Sequence, residues 1–467
     1  MVTGARGTTL AVDTGPVLSC SAIGVKVSGL TLLSKGGEAC VTVAREGALT
    51  LEECEVQNAG GDGVQVYGEC LLAACKVLQC ASYGTTALAG GSVTINASTI
   101  TLNTKTGVLS RGKGSRMLLT AGTLVSKNKM HGIGADQGAS FSASATSVRE
   151  NGYVGVNAGD GASGLLVDCT IDDNGMHGIQ CTGGDIKVSK CSVTKARKLG
   201  IFVNPPAAPA LIKQQQRARV ELDQVQVTSC GFFGVHITGG ALSARDCDIT
   251  RSGDSGLVAK GGILSLSNST ISANGSFGVS LSDQRDAHGA VLCGARGELV
   301  GCQIHGNTGL GVHCSGAAEC TLKACKVLDT KLPSPPIEAG GSGVAAVLGG
   351  LVAISRCKIA GNATYGIFVN GGHILKDGTK RNASGVSVVA SKVVSNGSYG
   401  ASVSQATPDM PVAANLRIGA FGCDFSKNAH GEIEGVFSKD LPVALCLGLG
   451  LGVAALGYYV LRIRSAD

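Results

Sequence analysis

The sequence predicts an all-β fold, a parallel β-helix of about 15 coils followed by one C-terminal transmembrane α-helix. Three observations predict it. A glycine followed by an apolar residue recurs along the chain, usually every 21 to 25 residues. Apolar and polar residues alternate between these glycines, which is the period of a strand. The chain from Leu441 to Leu461 carries no charge.

The repeat is anchored on the glycines, and a few intervals exceed 30 residues, as if a loop had been inserted into an intact unit. A unit of this length with three short strands cannot bury its own apolar face, whereas stacked copies can. The clearest anchors are Gly63, Gly107, Gly132, Gly155, Gly178, Gly234, Gly278, Gly311, Gly366 and Gly400. Weaker copies are at Gly84, Gly200, Gly256 and Gly343.

One column of the repeat is rich in cysteine and holds nine of the chain's 19 cysteines. Serine, threonine and valine replace cysteine in other units, which indicates a slot for a small side chain rather than a reactive thiol. We therefore expect reduced, buried thiols. We expect no zinc site and no other metal or cofactor, because no two CxxC pairs stand at ligand spacing.

Asparagine recurs four residues before many of the anchor glycines, which predicts a structural ladder of stacked side-chain amides at a sharp corner. The members are Asn103, Asn128, Asn151, Asn174, Asn274, Asn307, Asn362 and Asn396, and Asn58 is one place out of register.

The stretch DDNGMHGIQCTGG at 172–184 has the composition of a hydrolase site, but it is one repeat unit. Asp172, Asp173 and His177 are the candidate catalytic residues for acid–base chemistry. The position of His177 is filled by unrelated residue types in other units, so we expect no catalytic residue there.

Charged residues occupy equivalent positions in four successive units, at Lys127, Glu150, Asp173 and Lys195. The simpler interpretation is an exposed ladder of ion pairs of modest stabilising value. The alternative is a polar groove that binds an anionic or sugar ligand. These four residues are therefore the ligand-binding candidates.

The insertions share a phase, because four of them follow the strand after the anchor glycine and so should leave from one corner. They are 204–216, 283–295, 371–382 and 404–415, whereas 329–340 leaves from the preceding corner. Loops gathered on one side of a repeat scaffold often form its binding surface. Neutral drift of tolerated loops is the alternative.

The C-terminal apolar stretch has about the length that a helix needs to cross a bilayer. Two tyrosines near its end and the arginines that follow suit a membrane interface, and one GxxxG step, Gly448 to Gly452, suggests self-association of helices. A buried helix is the alternative. We predict an N-terminal segment at 1–16, which resembles an incomplete cap, the β-helix at 17–436, a linker at 437–440, the membrane helix at 441–461 and a basic tail at 462–467.

The unit at 357–369 reads C-x-I-x-x-N-x-x-x-G-I-x-V, and the unit at 169–181 differs from it only in ending at Cys181. They resemble the right-handed β-helix repeats of the pectin-lyase-like superfamily, above all those of the F-box β-helix and NosD-type proteins. The resemblance implies the right-handed fold but does not indicate an activity, because that superfamily includes polysaccharide lyases, hydrolases, epimerases and recognition domains. Of the motifs of its polygalacturonase-like members only a D-D pair, Asp172–Asp173, is present, without N-T-D, G-H-G or R-I-K, and the acidic cluster with arginine of its pectate-lyase-like members and the F-box segments are absent.

Two functions follow. We favour a membrane-anchored, non-catalytic repeat protein that presents its loop-bearing side to a protein or glycan ligand. The alternative is a carbohydrate-active enzyme, a lyase, hydrolase or epimerase. The net charge of +6 and the lack of a basic cluster argue against nucleic acid. A membrane helix near the C-terminus without an upstream signal predicts a tail-anchored protein with a cytosolic rod; a lumenal rod is expected if a signal precedes the sequence.

Overall fold

The computed structural model describes residues 2–120, 122–205, 218–286, 289–335, 339–370, 384–404, 415–418 and 422–435. These residues form a parallel β-helix in which each coil contributes three strands. The segment from Leu441 to Leu461 lies outside the described residues, so its helix remains a prediction. Within the described part, no helix has the length and apolar character needed to span a bilayer.

The first face consists mainly of five-residue strands that pair in parallel with the equivalent strand of the next coil. Its strands are Val2–Val12, Val25–Ser34, Ala48–Glu52, Glu69–Ala73, Ser92–Asn96, Arg116–Thr120, Ser140–Ser144, Ser163–Val167, Asp185–Ser189, Arg219–Asp223, Ala241–Arg245, Ile263–Ser267, Arg296–Val300, Glu319–Lys323, Leu351–Ser355, Gly385–Val389 and Asn415–Ile418.

The second face follows each first-face strand after a sharp bend and consists mostly of three-residue strands. They are Glu55–Asn58, Lys76–Leu78, Thr99–Thr101, Leu124–Ser126, Ser147–Arg149, Thr170–Asp172, Ser192–Thr194, Gln226–Thr228, Asp248–Thr250, Thr270–Ser272, Gln303–His305, Lys326–Leu328, Lys358–Ala360 and Lys392–Val394. Val25–Ser34 runs through both faces, since it pairs with Ala48–Glu52 and with Glu55–Asn58.

The third face begins within one residue of the anchor glycine in the units that have one. Its strands are Leu18–Cys20, Val41–Val43, Val64–Val66, Thr85–Leu88, Val108–Arg111, Ile133–Asp136, Val156–Gly159, His177–Thr182, Leu199–Asn204, Val235–Thr238, Leu257–Lys260, Val279–Ser282, Leu310–Ser315, Ser342–Val347, Ile367–Asn370, Tyr399–Ser404 and Gly431–Gly435. A small antiparallel hairpin, Gln284–Arg285 with Val291–Cys293, lies in one insertion.

The core is one continuous column of stacked aliphatic side chains, among them Leu72, Ile95 and Leu119, which are fully buried in successive coils. Each such side chain contributes roughly 1.5–3 kcal/mol through its burial. The two bends that flank the second face are residues in the left-handed conformation, for example Ala145 (φ 45°) and Glu150 (φ 55°). These bends let a strand turn a corner within one residue.

The anchor glycines allow adjacent coils to approach closely. A Cβ atom built on Gly155 would lie 2.6 Å from the carbonyl oxygen of Gly178 and 2.8 Å from Nδ2 of Asn174. The weaker copies at Gly84, Gly200, Gly256 and Gly343 meet the same restriction, which confirms that they occupy the anchor position. None of the anchors has a positive φ, so packing, rather than backbone conformation, selects glycine here.

The asparagine ladder is confirmed. Nδ2 of Asn128 donates to Oδ1 of Asn151 at 3.0 Å, and Nδ2 of Asn151 donates to Oδ1 of Asn174 at 3.1 Å. Each amide also donates to a backbone carbonyl of the preceding coil, as Asn151 does to Val125 at 3.2 Å. Ala196, Cys230 and Ser252 interrupt the ladder between Asn174 and Asn274, and Thr330 interrupts it before Asn362. Asn428, which precedes a unit without an anchor glycine, extends it. Asn58 is fully buried but bonds to backbone carbonyls instead of another amide.

The cysteine column holds buried, unbridged thiols that make hydrogen bonds. Sγ of Cys169 donates toward the carbonyl oxygens of Ala143 and Val167 at 3.4 and 3.3 Å, and Sγ of Cys191 accepts the Cys169 amide. Ser98, in the same column, makes the same pattern of bonds. Serine and threonine therefore replace cysteine because they make the same hydrogen bonds, whereas Val225 fills the same slot without any. Hydrogen bonding thus adds to the demand for a small side chain in most units.

Because some buried cysteines make hydrogen bonds and others do not, we predict different costs of serine substitution at two of them. We expect Cys169→Ser to change the free energy of unfolding by less than about 1 kcal/mol, since a hydroxyl meets the same carbonyls. Cys70 points into the apolar interior without a hydrogen bond in the described structure, and burial raises the pKa of its thiol to about 12. Cys70→Ser should lower the free energy of unfolding, measured with denaturant, by about 2 kcal/mol. The new hydroxyl group leaves water on folding and gains no hydrogen bond in the apolar interior. Equal costs would contradict the hydrogen-bonding role of the column.

The insertions follow the predicted phase. Those at 204–216, 283–295, 371–382 and 404–415 each lie between a third-face strand and the next first-face strand. The insertion at 329–340 lies between the second and third faces instead. The corner between the third and first faces is therefore the loop-bearing corner of the rod.

Candidate binding surface

The outer side of the third face is the surface with the greatest chemical variety. One outward residue per coil forms a column that the strand register places side by side along the rod. From the N-terminal end it contains Thr42, Gln65, Thr86, Leu109, Gly134, Asn157, Gln180, Phe202 and His236. Thr42, Gln65, Asn157 and Gln180 give this outer column polar groups, Leu109 and Gly134 interrupt them, and Phe202 and His236 follow as rings.

A cleft of about 640 Å³ lies at the N-terminal end of the outer column, where Thr42 and Gln65 line it. Its rim carries the carboxylates of Glu38 and Asp62, the hydroxyl of Ser82 and the ammonium of Lys105. Oδ1 of Asp62 accepts the Tyr83 amide at 3.1 Å, and Nζ of Lys105 lies 5.0 Å from the Tyr83 ring centroid. These contacts hold both charged groups in place at the cleft.

The outer face next to the cleft carries a strong ion pair. The Arg111 guanidinium donates from Nε and Nη2 to the Asp136 carboxylate at 2.9 and 2.8 Å. Such a bidentate ion pair fixes the orientation of the guanidinium plane and of the carboxylate plane. Asn157 and Gln180 follow in the outer column with half-buried amides. The arrangement therefore offers hydroxyl, amide, carboxylate and guanidinium groups along several coils.

Further along the rod, rings replace these polar groups. The His177 ring lies 5.2 Å from the Phe202 ring, and the Phe202 ring lies 5.4 Å from the His236 ring. Burial lowers the pKa of His177 to about 4, assisted by Lys198 and His236. Burial likewise lowers the pKa of His236 to about 4. Both rings are therefore neutral near pH 7 and act as packed aromatic surfaces.

A separate exposed ridge runs along the corner between the second and third faces. We call Met130, Tyr153, Met176, Lys198 and Phe232 the corner ridge. Successive members are joined by backbone hydrogen bonds of 2.7 to 3.0 Å, from each amide to the carbonyl of the preceding member. Met130, Tyr153 and Phe232 are 43%, 44% and 55% exposed. The ridge extends over four coil steps, or roughly 19 Å at the spacing of strands in a sheet.

The four predicted ligand-binding residues all occupy the left-handed bend before the asparagine column. Lys127, Glu150, Asp173 and Lys195 have φ values of 54°, 55°, 47° and 50°. Nζ of Lys127 lies 3.6 Å from Oε2 of Glu150, whereas Asp173 and Lys195 make no ion pair within the described part of the chain. The structure brings these residues to one edge but forms no enclosed pocket from them.

The three catalytic candidates are not assembled into one site. Asp172 is on the outer second face and accepts a hydrogen bond from the Thr194 hydroxyl. Asp173 is at the exposed bend. His177 is 3% exposed, and its Nδ1 has no hydrogen-bond partner, so no carboxylate orients the ring for proton transfer. Across the described ranges, no group of three or more His, Cys, Asp or Glu side chains is placed to hold a metal ion.

The buried histidines predict a loss of stability in acid. A pKa of about 4 in the folded state, below the ordinary 6.5 of the unfolded chain, means that the unfolded state takes up the proton first. The stabilising effect is complete above pH 6.5 and is lost as the pH falls toward 4. We expect the melting temperature to fall across that window, and less steeply in His177→Phe. That variant carries the ring that Phe233 supplies at the same position of another coil. Identical slopes would contradict the burial effect of His177.

Comparison with known proteins agrees with this geometry. The family model described as the right-handed beta helix region matches residues 17–120, 89–214, 210–331 and 286–416, which together cover most of the chain. The chain belongs to the right-handed β-helix family. The right-handed solenoid implied by the resemblance to pectin-lyase-like repeats is thus confirmed. No curated protein is detectably similar in sequence.

Solved structures similar to this β-helix protein include three carbohydrate-active enzymes. The periplasmic alginate epimerase AlgG is 10% identical, with 86% of this chain and 77% of that chain covered and a TM-score of 0.36. The pectate lyase Pel9A is 14% identical over 56% and 70%, with a TM-score of 0.37. The A-module of the Azotobacter vinelandii mannuronan C-5 epimerase AlgE4 is 12% identical over 88% and 91%, with a TM-score of 0.38. These likenesses concern the fold alone.

The sequence pattern did not reveal the cleft or the corner ridge. The members of the ridge are two residues after the asparagine column, where lysine, methionine, tyrosine and phenylalanine alternate without a common type. The ridge could have been predicted from the sequence by the large apolar residues that occupy this exposed position in successive units. The cleft depends on short loops of glycine and alanine in the first coils, which leave the floor residues uncovered.

Proposed function

We propose that this β-helix protein is a membrane-anchored, non-catalytic scaffold that binds a polar chain, glycan or extended peptide, along its third face and loop-bearing corner. The observation that carries the proposal is the cleft at Thr42 and Gln65, which continues into the outer column. Thr42 and Gln65 present a hydroxyl and an amide in neighbouring coils, and Asn157 and Gln180 present two further amides in neighbouring coils, at the strand spacing of a sheet, about 4.8 Å. A ligand with its own repeating polar groups is complementary to such a surface.

The absence of an oriented acid–base pair at His177 supports a binding role over catalysis. His177 is buried and His236 is half-buried, both have lowered pKa values, and they serve as packed rings. Concave sites with a few convergent polar groups are the usual form of a ligand site.

The uncharged segment from Leu441 to Leu461 serves in this proposal as the membrane anchor, with the rod in the cytosol. The buried thiols support a reducing compartment, since disulfides are rare in the cytosol. Extraction of isolated membranes at high pH should leave the full chain in the pellet and release a chain that ends at residue 440. A thiol count in denaturant without reductant should find the cysteines free; mostly bridged cysteines would favour a lumenal rod.

The binding role is tested with glycan and peptide arrays probed with the full chain. Gln65→Ala removes an outward amide at the floor of the cleft, and Gln226→Ala removes an outward amide on the second face. We expect Gln65→Ala to weaken binding to the captured ligand by about five- to tenfold, the value of one hydrogen bond. Gln226→Ala should bind like the wild type. Equal affinities for both variants would contradict this placement of the site.

One observation favours an enzyme as the second candidate, because two carboxylates, Glu38 and Asp62, line the same cleft. Paired carboxylates are the usual apparatus of glycoside hydrolysis. Incubation of bound oligosaccharides with the full chain should release no new reducing ends if the protein only binds. Release that is abolished in Glu38→Gln and Asp62→Asn would establish the enzyme instead.

A further inference from the structure

The corner ridge is an apolar surface that nothing in the described structure covers. Tyr153 and Phe232 are about half exposed, and Met130 lies one coil before Tyr153 at similar exposure. Scattered apolar residues are ordinary on a protein surface, but a straight row in successive coils is not. The backbone bonds that join the row also fix the spacing of its side chains.

Three cations without ion pairs lie in or beside this row. Lys198 is a member of the ridge, Lys129 and Arg197 lie next to it, and none of the three meets a carboxylate within 4 Å among the described residues. Acidic residues also lie nearby, among them Asp254, whose amide donates to the carbonyl of Phe232. Glu150 is already engaged by Lys127 and Arg149, and Asp173 is at the adjacent bend.

Apolar side chains that project between unpaired cations are the combination that binds the interface of an anionic bilayer. The apolar groups enter the headgroup region while lysine and arginine meet the lipid phosphates and carboxylates. Cytoplasmic leaflets carry the required negative surface potential. The charges of Lys129, Arg197 and Lys198 thus complement such a membrane, and the row is long enough for several side chains to reach it at once.

We propose that the corner ridge, Met130 to Phe232 with Lys129, Arg197 and Lys198, docks onto an anionic membrane surface, so that the rod lies along the bilayer. This goes beyond the proposed function, because it assigns a second membrane contact within the β-helix itself. The ridge and the loop-bearing corner are on either side of the third face. Docking through the ridge leaves the loop-bearing corner and the outer column facing away from the lipid headgroups that the ridge contacts.

The chain contains no tryptophan, which allows a single fluorescent probe to be placed. Tyr153→Trp puts it on the ridge. Leu165→Trp puts it in the same coil on the outer first face, where Leu165 is 41% exposed. The full chain with either probe is reconstituted into vesicles of phosphatidylcholine, with or without phosphatidylserine, and brominated lipids serve as quenchers. Circular dichroism first checks that both variants keep the β-sheet spectrum.

In anionic vesicles, we expect the tryptophan emission of Tyr153→Trp to shift to shorter wavelength and brominated lipid to quench at least half of its intensity. Both effects should be much smaller in neutral vesicles. Leu165→Trp should respond in neither. Adding Lys129→Glu, Arg197→Glu and Lys198→Glu to the ridge probe should abolish the response. Equal behaviour of the two probes overturns the proposal, as does an equal response in neutral lipid or a shift caused by glycan or acidic peptide without vesicles.

Failure of this proposal is distinguishable from failure of the anchor. A chain that resists extraction at high pH while its ridge probe stays exposed retains the anchor and loses the docking surface. A chain that is extracted, yet whose ridge probe responds to added anionic vesicles, loses the anchor and retains the docking surface.

Discussion

Replacing Gly155 with alanine is expected to lower the free energy of unfolding by about 3 kcal/mol, the upper part of the range for overpacking a close-packed interior. The new methyl group would lie 2.6 Å from the Gly178 carbonyl oxygen and 2.8 Å from Cγ2 of Ile171. Neither neighbour can move freely, because the carbonyl belongs to the sheet and Ile171 is fully buried. The coils must therefore separate locally to admit one carbon atom.

The matched control is Gly37→Ala. Gly37 has no positive φ, and a Cβ built on it meets no atom within 4 Å. We expect this variant to be unchanged or stabilised by up to about 1 kcal/mol, since alanine restricts the unfolded chain. Denaturant unfolding followed by circular dichroism measures both. A loss of similar size at the two positions would mean that close approach between coils does not select the anchor glycines.

Replacing Asn151 with alanine is expected to cost about 3 to 5 kcal/mol, because several buried polar groups lose partners together. Its Oδ1 accepts from the amide and from Nδ2 of Asn128 at 3.2 and 3.0 Å. Its Nδ2 donates to Oδ1 of Asn174 and to the carbonyl of Val125. All of these groups are in the interior, where water cannot replace the lost bonds.

Two further variants separate hydrogen bonding from space filling. Asn151→Leu restores most of the volume but none of the bonds, and it should be at least as destabilised as Asn151→Ala. Asn157→Ala removes an asparagine from the outer column, where the amide is half-buried, and should change stability by less than about 0.5 kcal/mol. If Asn151→Leu proved as stable as the wild type, the ladder would only fill space.

Much of the fold was predictable because stacking imposes the same demands on every coil. A glycine that must meet the carbonyl above it, as Gly155 meets Gly178, recurs wherever coils touch, so the period is visible in the sequence. The asparagine column is visible for the same reason. Asn428 was missed because Glu432 occupies the anchor position of its unit, so the glycine that marks the other units is absent.

The binding surface was harder to predict, because its residues are on the outside and are free to differ between coils. The equivalent positions of Lys127 and Glu150 in successive units were predictable from the repeat. What these positions share in the structure is the left-handed backbone conformation of the bend. Tyr153 and Phe232 had no repeated residue type to mark them. The cleft depends on what its neighbouring loops leave open, which a linear pattern does not record.

The two proposals assign a separate task to each side of the rod. The interior columns hold the coils in register, and we propose that the outer column presents the polar groups of Thr42, Gln65, Asn157 and Gln180 to a ligand. We likewise propose that the ridge from Met130 to Phe232 supplies an apolar and cationic contact. Because the residues of each column are one strand spacing apart, every one of these surfaces depends on the coils being stacked in order.

Distances between spin labels along the first face test that stacking most directly. Ser142, Ser265 and Ser387 point outward in one column. Ser265 lies five coil steps from Ser142, and Ser387 lies nine coil steps from Ser142. With Cys293 and Cys446 changed to serine, cysteines placed at 142 and 265 should give about 24 Å, and those at 142 and 387 about 43 Å, at one strand spacing per coil. Distances that do not grow in proportion to the number of coils would contradict the stacked solenoid.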